Sequence, residues 1–143
     1  CKDGSISYVF CHNASNEKIR NIIDFHLTPF DDGLSKTIDW YKKYRDILNT
    51  DIVQLRRADG RDWDGWMHVS PFTEQKGFMM LFNPTKEVMT KTIKLPLYYT
   101  GLTQKVKISD PNGLTNLYNL NRDYSIDFTF TIPPDTYKWF VIE

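Results

Sequence analysis

The chain has little of what ligates or staples. It holds two cysteines and three histidines. Two cysteines make no disulfide framework. Cys11 with its neighbour His12 falls short of the roughly four ligands of a structural zinc, so both thiols read as free and no metal or cofactor is expected. Charge of either sign is in no excess, since Lys plus Arg and Asp plus Glu both number 18. A nucleic-acid binder carries a basic face, and none is indicated. No apolar run approaches the ~20 residues that cross a bilayer. Gly-x-Ser-x-Gly, the P-loop, Gly-x-Gly-x-x-Gly and His-Glu-x-x-His are all missing, so no nucleophile elbow, phosphate cradle or zincin helix is written in the sequence. No internal repeat or low-complexity tract occurs.

What is present is aromatic. Phe, Trp and Tyr make up 15% of the 143 residues. Aromatic side chains favour pleated, half-buried surfaces. The N-terminal third reads differently from the rest. Residues 5–11 read as a short strand and residues 16–26, with Ile19, Ile22, Ile23 and His26, as a short helix. Thr28-Pro29 offers an N-cap followed by proline at the first helical position. Phe30, Leu34, Ile38, Tyr41, Tyr44 and Leu48 then recur every three or four residues, which is one face of a helix over 30–49. Asp31 and Asp32 at its start and Lys42, Lys43 and Arg45 near its end suit the helix dipole. Gly33 weakens the first turn and moves the expected start towards Ser35. An aromatic helix face of this kind must dock on the rest of the chain, on another domain or on a second copy.

From Asp51 the period changes to two. Residues 52–55, 66–69, 77–82, 89–95, 105–108, 124–132 and 137–142 read as strands. Tyr124, Ile126, Phe128, Phe130 and Ile132 point one way, and Ser125, Asp127, Thr129 and Thr131 the other. Gly77 to Phe82 is apolar throughout, as in a strand covered on both faces. Turn signals separate these runs at Ala58-Asp59-Gly60, Asn83-Pro84, Asp110-Pro111-Asn112-Gly113, Asn121-Arg122-Asp123 and Pro133-Pro134-Asp135. Short strands at such spacing, without helices between them, predict an antiparallel β-sandwich over 51–143. Residues 1–50 form the tail of an upstream domain, with the boundary at Asn49-Thr50.

The candidate site is the polar cluster Arg56 to Trp66. Asp59, Asp62 and Asp64 can ligate calcium, which takes about six to eight oxygens. Three nearby arginines make mutual ion pairing the plainer expectation. Asp62 and Asp64 can also be read as a glycosidase pair, which needs its carboxylates roughly 5 to 9 Å apart. Trp63 and Trp66 can stack on a sugar ring beside those carboxylates. Against that, Trp66 opens a strand and belongs in a core, and Trp63 packs against a neighbouring domain. Asn13-Ala-Ser15 is a glycan acceptor only in a eukaryotic secretory pathway. The start at Cys1 fits an excised fragment, a mature protein after signal cleavage, or a lipid-bearing cysteine.

Several motifs resemble one family. Asp39-Trp-Tyr-Lys-Lys-Tyr-Arg-Asp-Ile-Leu48 followed by Asp51-Ile-Val-Gln-Leu-Arg-Arg57 is similar to the junction in alpha-galactosidase-like glycoside hydrolases of gut Bacteroidetes. There the last helix of a (β/α)₈ barrel hands over to a C-terminal sandwich. Asp59-Gly-Arg-Asp-Trp-Asp-Gly-Trp66, Leu81-Phe-Asn-Pro-Thr85, Leu95-Pro-Leu-Tyr-Tyr-Thr-Gly-Leu102 and Tyr137-Lys-Trp-Phe-Val-Ile-Glu143 carry the same resemblance. It implies a non-catalytic accessory domain that packs on the catalytic barrel of its parent chain, with a periplasmic or extracellular location. No catalytic residue is carried over, because the family's catalytic aspartates lie on barrel strands upstream. A carbohydrate-binding module using Trp63, Trp66, Asp62 and Asp64 is the alternative. Association of copies through the helix face is a further expectation.

Overall fold

The computed structural model describes residues 29–143. The strand expected at 5–11, the helix at 16–26, and Cys1, Cys11, His12 and Asn13 lie outside them. The chain divides into two compact units, Cys1–Ile38 and Asp39–Glu143. The division falls inside helix α1, Phe30–Leu48, because the helix from Asp39 onward packs on the strands that follow.

Eight strands follow: β1 Asp51–Arg56, β2 Asp64–Val69, β3 Gly77–Asn83, β4 Met89–Pro96, β5 Lys105–Ser109, β6 Thr115–Asn119, β7 Ser125–Ile132 and β8 Thr136–Ile142. They form an antiparallel β-sandwich. One sheet has six strands in the order β1-β2-β3-β8-β5-β6, and the other pairs β4 with β7. β8 enters between β3 and β5, so the C-terminus is stitched into the middle of the larger sheet. Period-two alternation supplies the core. Met67, Val69, Met79, Leu81, Phe140 and Ile142 point inward from the six-stranded sheet and meet Leu95, Ile126, Phe128, Phe130 and Ile132 from the two-stranded one. Phe128 meets Phe140 edge-to-face at 5.1 Å.

The apolar run at Gly77–Asn83 is explained by cover on both faces. Met79 and Leu81 lie in the sandwich core. On the opposite face Phe78 packs with Tyr44, Ile47 and Val141, so the helix closes the outer side of the sheet. Four aromatic rings lock this joint: Trp40, Tyr44, Phe78 and Trp139, with centroids 5.2–6.3 Å apart. The aromatic helix face therefore finds its partner on the same chain.

Four details differ from the sequence reading. The helix begins at Phe30, not near Ser35, and the Gly33 amide is bonded to the Pro29 carbonyl at 2.9 Å. Its packed face is rotated: Ile47 is fully buried, whereas Tyr41 is 47% exposed. The strand Thr115–Asn119 was not foreseen, because its sequence (Thr-Asn-Leu-Tyr-Asn) is polar and edge-like, with Leu117 exposed. Tyr124 precedes the strand in a left-handed backbone (φ 57) and lies partly exposed, and Ser125, expected in water, is buried. The Ser125 hydroxyl donates to Asp123 at 2.6 Å, which removes the cost of burying it.

Asn83 fixes the far end of β3. Its side-chain amide donates to the carbonyls of Glu87, Ile132 and Pro133, and its oxygen accepts from the Thr85 amide and hydroxyl. One buried side chain thus ties the β3–β4 turn to the β7–β8 crossover between sheets. Gly65 answers a close approach: a Cβ there would collide with the Met80 carbonyl oxygen.

Candidate functional site

The polar cluster sits in the loop from β1 to β2. Asp59 accepts the amides of Arg61 at 2.9 Å and Asp62 at 3.1 Å, and its second oxygen pairs with Arg56 at 2.7 Å. That is an Asx-type turn, in which the side chain replaces a backbone acceptor. Gly60 takes the positive φ the turn requires. The Arg56 hydrogen bond, with help from the Arg61 amide, holds the Asp59 carboxyl well below the usual range. Arg56 also donates to the Trp63 carbonyl. Of the three arginines expected to pair with these acids, Arg56 does so, meeting Asp59 at 2.7 Å and Asp62 at 3.9 Å.

Asp62 faces Lys91 of β4 at 3.2 Å and accepts the Trp63 amide at 2.9 Å. Burial pushes its carboxyl up, but the Trp63 amide and Lys91 outweigh this and leave it lowered. Asp64 differs. It points from β2 onto the outer face of the sheet, partly buried, with no hydrogen bond or ion pair among the described residues, and burial raises its pKa. Asp62 and Asp64 border separate depressions of about 690 and 480 Å³. They do not line a common cleft, so the paired-acid arrangement has no geometric support. Among the described residues, no group of three or more His, Cys, Asp or Glu converges as a metal site.

The tryptophans also part company. Trp63 is 8% exposed and packs edge-on against Phe130 at 5.5 Å, inside the sandwich. This corrects its assignment to a sugar-stacking surface and also to a neighbouring domain: it belongs to this domain's own core. Trp66 is not in that core. It is partly buried on the outer face and stacks on Phe82 at 4.9 Å. Phe82 in turn lies 6.0 Å from Tyr137, which is 58% exposed. Asp64, Phe82 and Tyr137 occupy one row across β2, β3 and β8.

The opposite end of β2 bears a larger feature. A depression of about 950 Å³ is walled by Phe72, Tyr98, Tyr99, Leu102, Tyr124 and Ile52. Phe72 is 94% exposed, and Tyr98 and Tyr99 are each 64% exposed. Tyr98 meets Tyr99 and Tyr124 edge-to-face at 5.3 and 5.5 Å. A bulky residue at positive φ stores strain, and here Tyr124 is held so by the Tyr124 amide donating to Asn121 and the Leu97 amide donating to Tyr124. Sequence reasoning passed over this wall, although the Tyr98-Tyr99 doublet after Pro96 marked it.

No protein-family model matches this chain, and no curated protein matches it.

Proposed function

We propose that this chain is a non-catalytic accessory β-sandwich of an alpha-galactosidase-like glycoside hydrolase, which seats on and stabilises the catalytic barrel of its parent polypeptide. The observation that carries the reading is the tyrosine-rich wall at one end of the sandwich. Contiguous exposed apolar surface of this kind marks a contact surface. Tyrosine and phenylalanine are enriched where proteins dock, because they bury large area while the hydroxyl keeps a polar partner. The loop acids support the same reading, since Asp59 and Asp62 hold local structure. The barrel partner and the extracytoplasmic setting follow from the motif resemblance.

The test uses the native polypeptide in cells, detected with an antibody to the sandwich. The reading expects a product longer by a barrel, roughly 200 to 400 residues. A product of this chain's own size would refute it. In that longer protein, Phe72→Asp and Tyr99→Asp should speed proteolytic release of an intact sandwich, whereas Leu117→Asp, on the opposite edge of the sheet, should not.

A further inference from the structure

The row Asp64–Phe82–Tyr137 lies at the end of the outer sheet face that the helix cluster does not include. Outer-face positions facing water are ordinarily polar. Here Trp66, Phe82 and Tyr137 form a staggered aromatic ledge, and Asp64 stands beside it. Asp64, Phe82 and Tyr137 border a depression of about 480 Å³, completed by Asn83, Pro84, Asp135 and Thr136, and Trp66 adjoins it through its stack on Phe82.

The polar atoms around it divide simply. The Asn83 amide is fully used within the fold, and the Thr136 hydroxyl donates to the Pro133 carbonyl at 2.9 Å. Asp135 holds Lys86 at 2.8 Å through one carboxylate oxygen. What remains is acceptor capacity: both oxygens of Asp64, the second oxygen of Asp135, and the Tyr137 hydroxyl. A partly buried carboxylate that accepts nothing is costly to keep. The fitting occupant donates hydrogen bonds and presents a flat apolar face to the rings. A pyranose ring does both, with hydroxyls at its rim and C–H groups on its face. A guanidinium also donates and stacks, but Asp135 is already paired with Lys86, and the Arg56 charge acts on Asp64 against the opposing charge of Asp59. A neutral donor is favoured over a second positive charge.

We propose that the Trp66–Phe82–Tyr137 ledge, with Asp64 as acceptor, is a saccharide-binding site. It is separate from the docking wall at the other end of β2, and its failure would leave the accessory-domain reading standing. The site keeps Trp66 and Asp64 from the residues the sequence offered for sugar contact and replaces Trp63 and Asp62 with Phe82 and Tyr137.

The test is nuclear magnetic resonance titration of this chain with soluble tetrasaccharides of galactose, glucose, mannose and xylose, followed at the Trp66 indole. At least one should shift the Trp66 signal with saturation below about 10 mM, a weak but measurable affinity. Tyr137→Ala and Asp64→Asn should each weaken that binding by about tenfold or more, the size expected for a hydrogen bond to a charged group. Both positions are partly or largely solvent-facing, so the variants should keep the wild-type spectrum elsewhere. Silence of Trp66 towards all four sugars, binding that survives both substitutions, or saturation by N-acetyl-arginine amide in their place would each overturn the proposal.

Discussion

Ile47→Ala tests whether the second half of helix α1 is an integral part of the sandwich. Ile47 is fully buried between Tyr44, Phe78 and Val141. The substitution removes three carbons, and at about 0.8 kcal/mol for each buried methylene the transfer cost is roughly 2.4 kcal/mol. A residual cavity adds to this, because the flanking aromatic rings interlock and cannot fully collapse, so the total should reach about 3 to 4 kcal/mol. For a unit of this size that loss lowers the melting temperature by roughly 10 to 20 °C. Urea unfolding followed by circular dichroism measures the loss, and hydrogen exchange along Asp39–Leu48 locates it. Tyr41→Ala is the control: on the outer side of the same helix, it should cost under about 0.5 kcal/mol. Equal effects of the two substitutions, or unchanged exchange in the helix, would refute the packing argument.

Other perturbations probe separate joints. Asn83→Ala strands the carbonyls of Glu87, Ile132 and Pro133 that its amide serves, and should cost about 2 to 4 kcal/mol in denaturant unfolding. Gly65→Ala drives a methyl against the Met80 carbonyl and should lose roughly 1 to 3 kcal/mol, read from the same curves. Asp64 is raised by burial, so ionising it opposes folding and its contribution worsens as pH rises through that pKa. Asp64→Asn should therefore melt higher than wild type near neutrality, with the gap closing in acid. Asp123 runs the other way. Hydrogen bonds from Lys94 and Ser125 hold it down from 3.8 to about 2, so its support is present above pH 3.8 and lost as pH falls through 2. Lys94→Ala should shrink the acid-side slope of melting temperature in that window.

Local order was legible where one period dominated. Ile126, Phe128, Phe130 and Ile132 alternate with polar residues, and they line the core as their spacing requires. The Arg56–Asp59 pair was legible, since the two lie three residues apart, whereas Asp62 found Lys91 on β4. The edge strand Thr115–Asn119 was not, because a polar strand pairing with β5 leaves no apolar signature. The helix face was misjudged by about one position per turn, since Tyr41, Tyr44 and Ile47 are all apolar enough to belong inside.

The candidate site shows the same division. Period two carries relative phase, so the sequence by itself determined that Tyr137, Trp139 and Val141 share one face and Phe140 and Ile142 the other. It also determined that aromatic side chains crowd the loop and strands around Trp63 and Trp66. Which face is core is an absolute phase, and only pairing with neighbouring strands decides it. Trp63 turned inward to Phe130, Trp66 outward to Phe82, and Asp64 came into one row with Tyr137 across Phe82, although Tyr137 is 73 positions further along the chain. Contacts across that separation are made by sheet register and by the helix closing one face, and neither is encoded in any local run of residues.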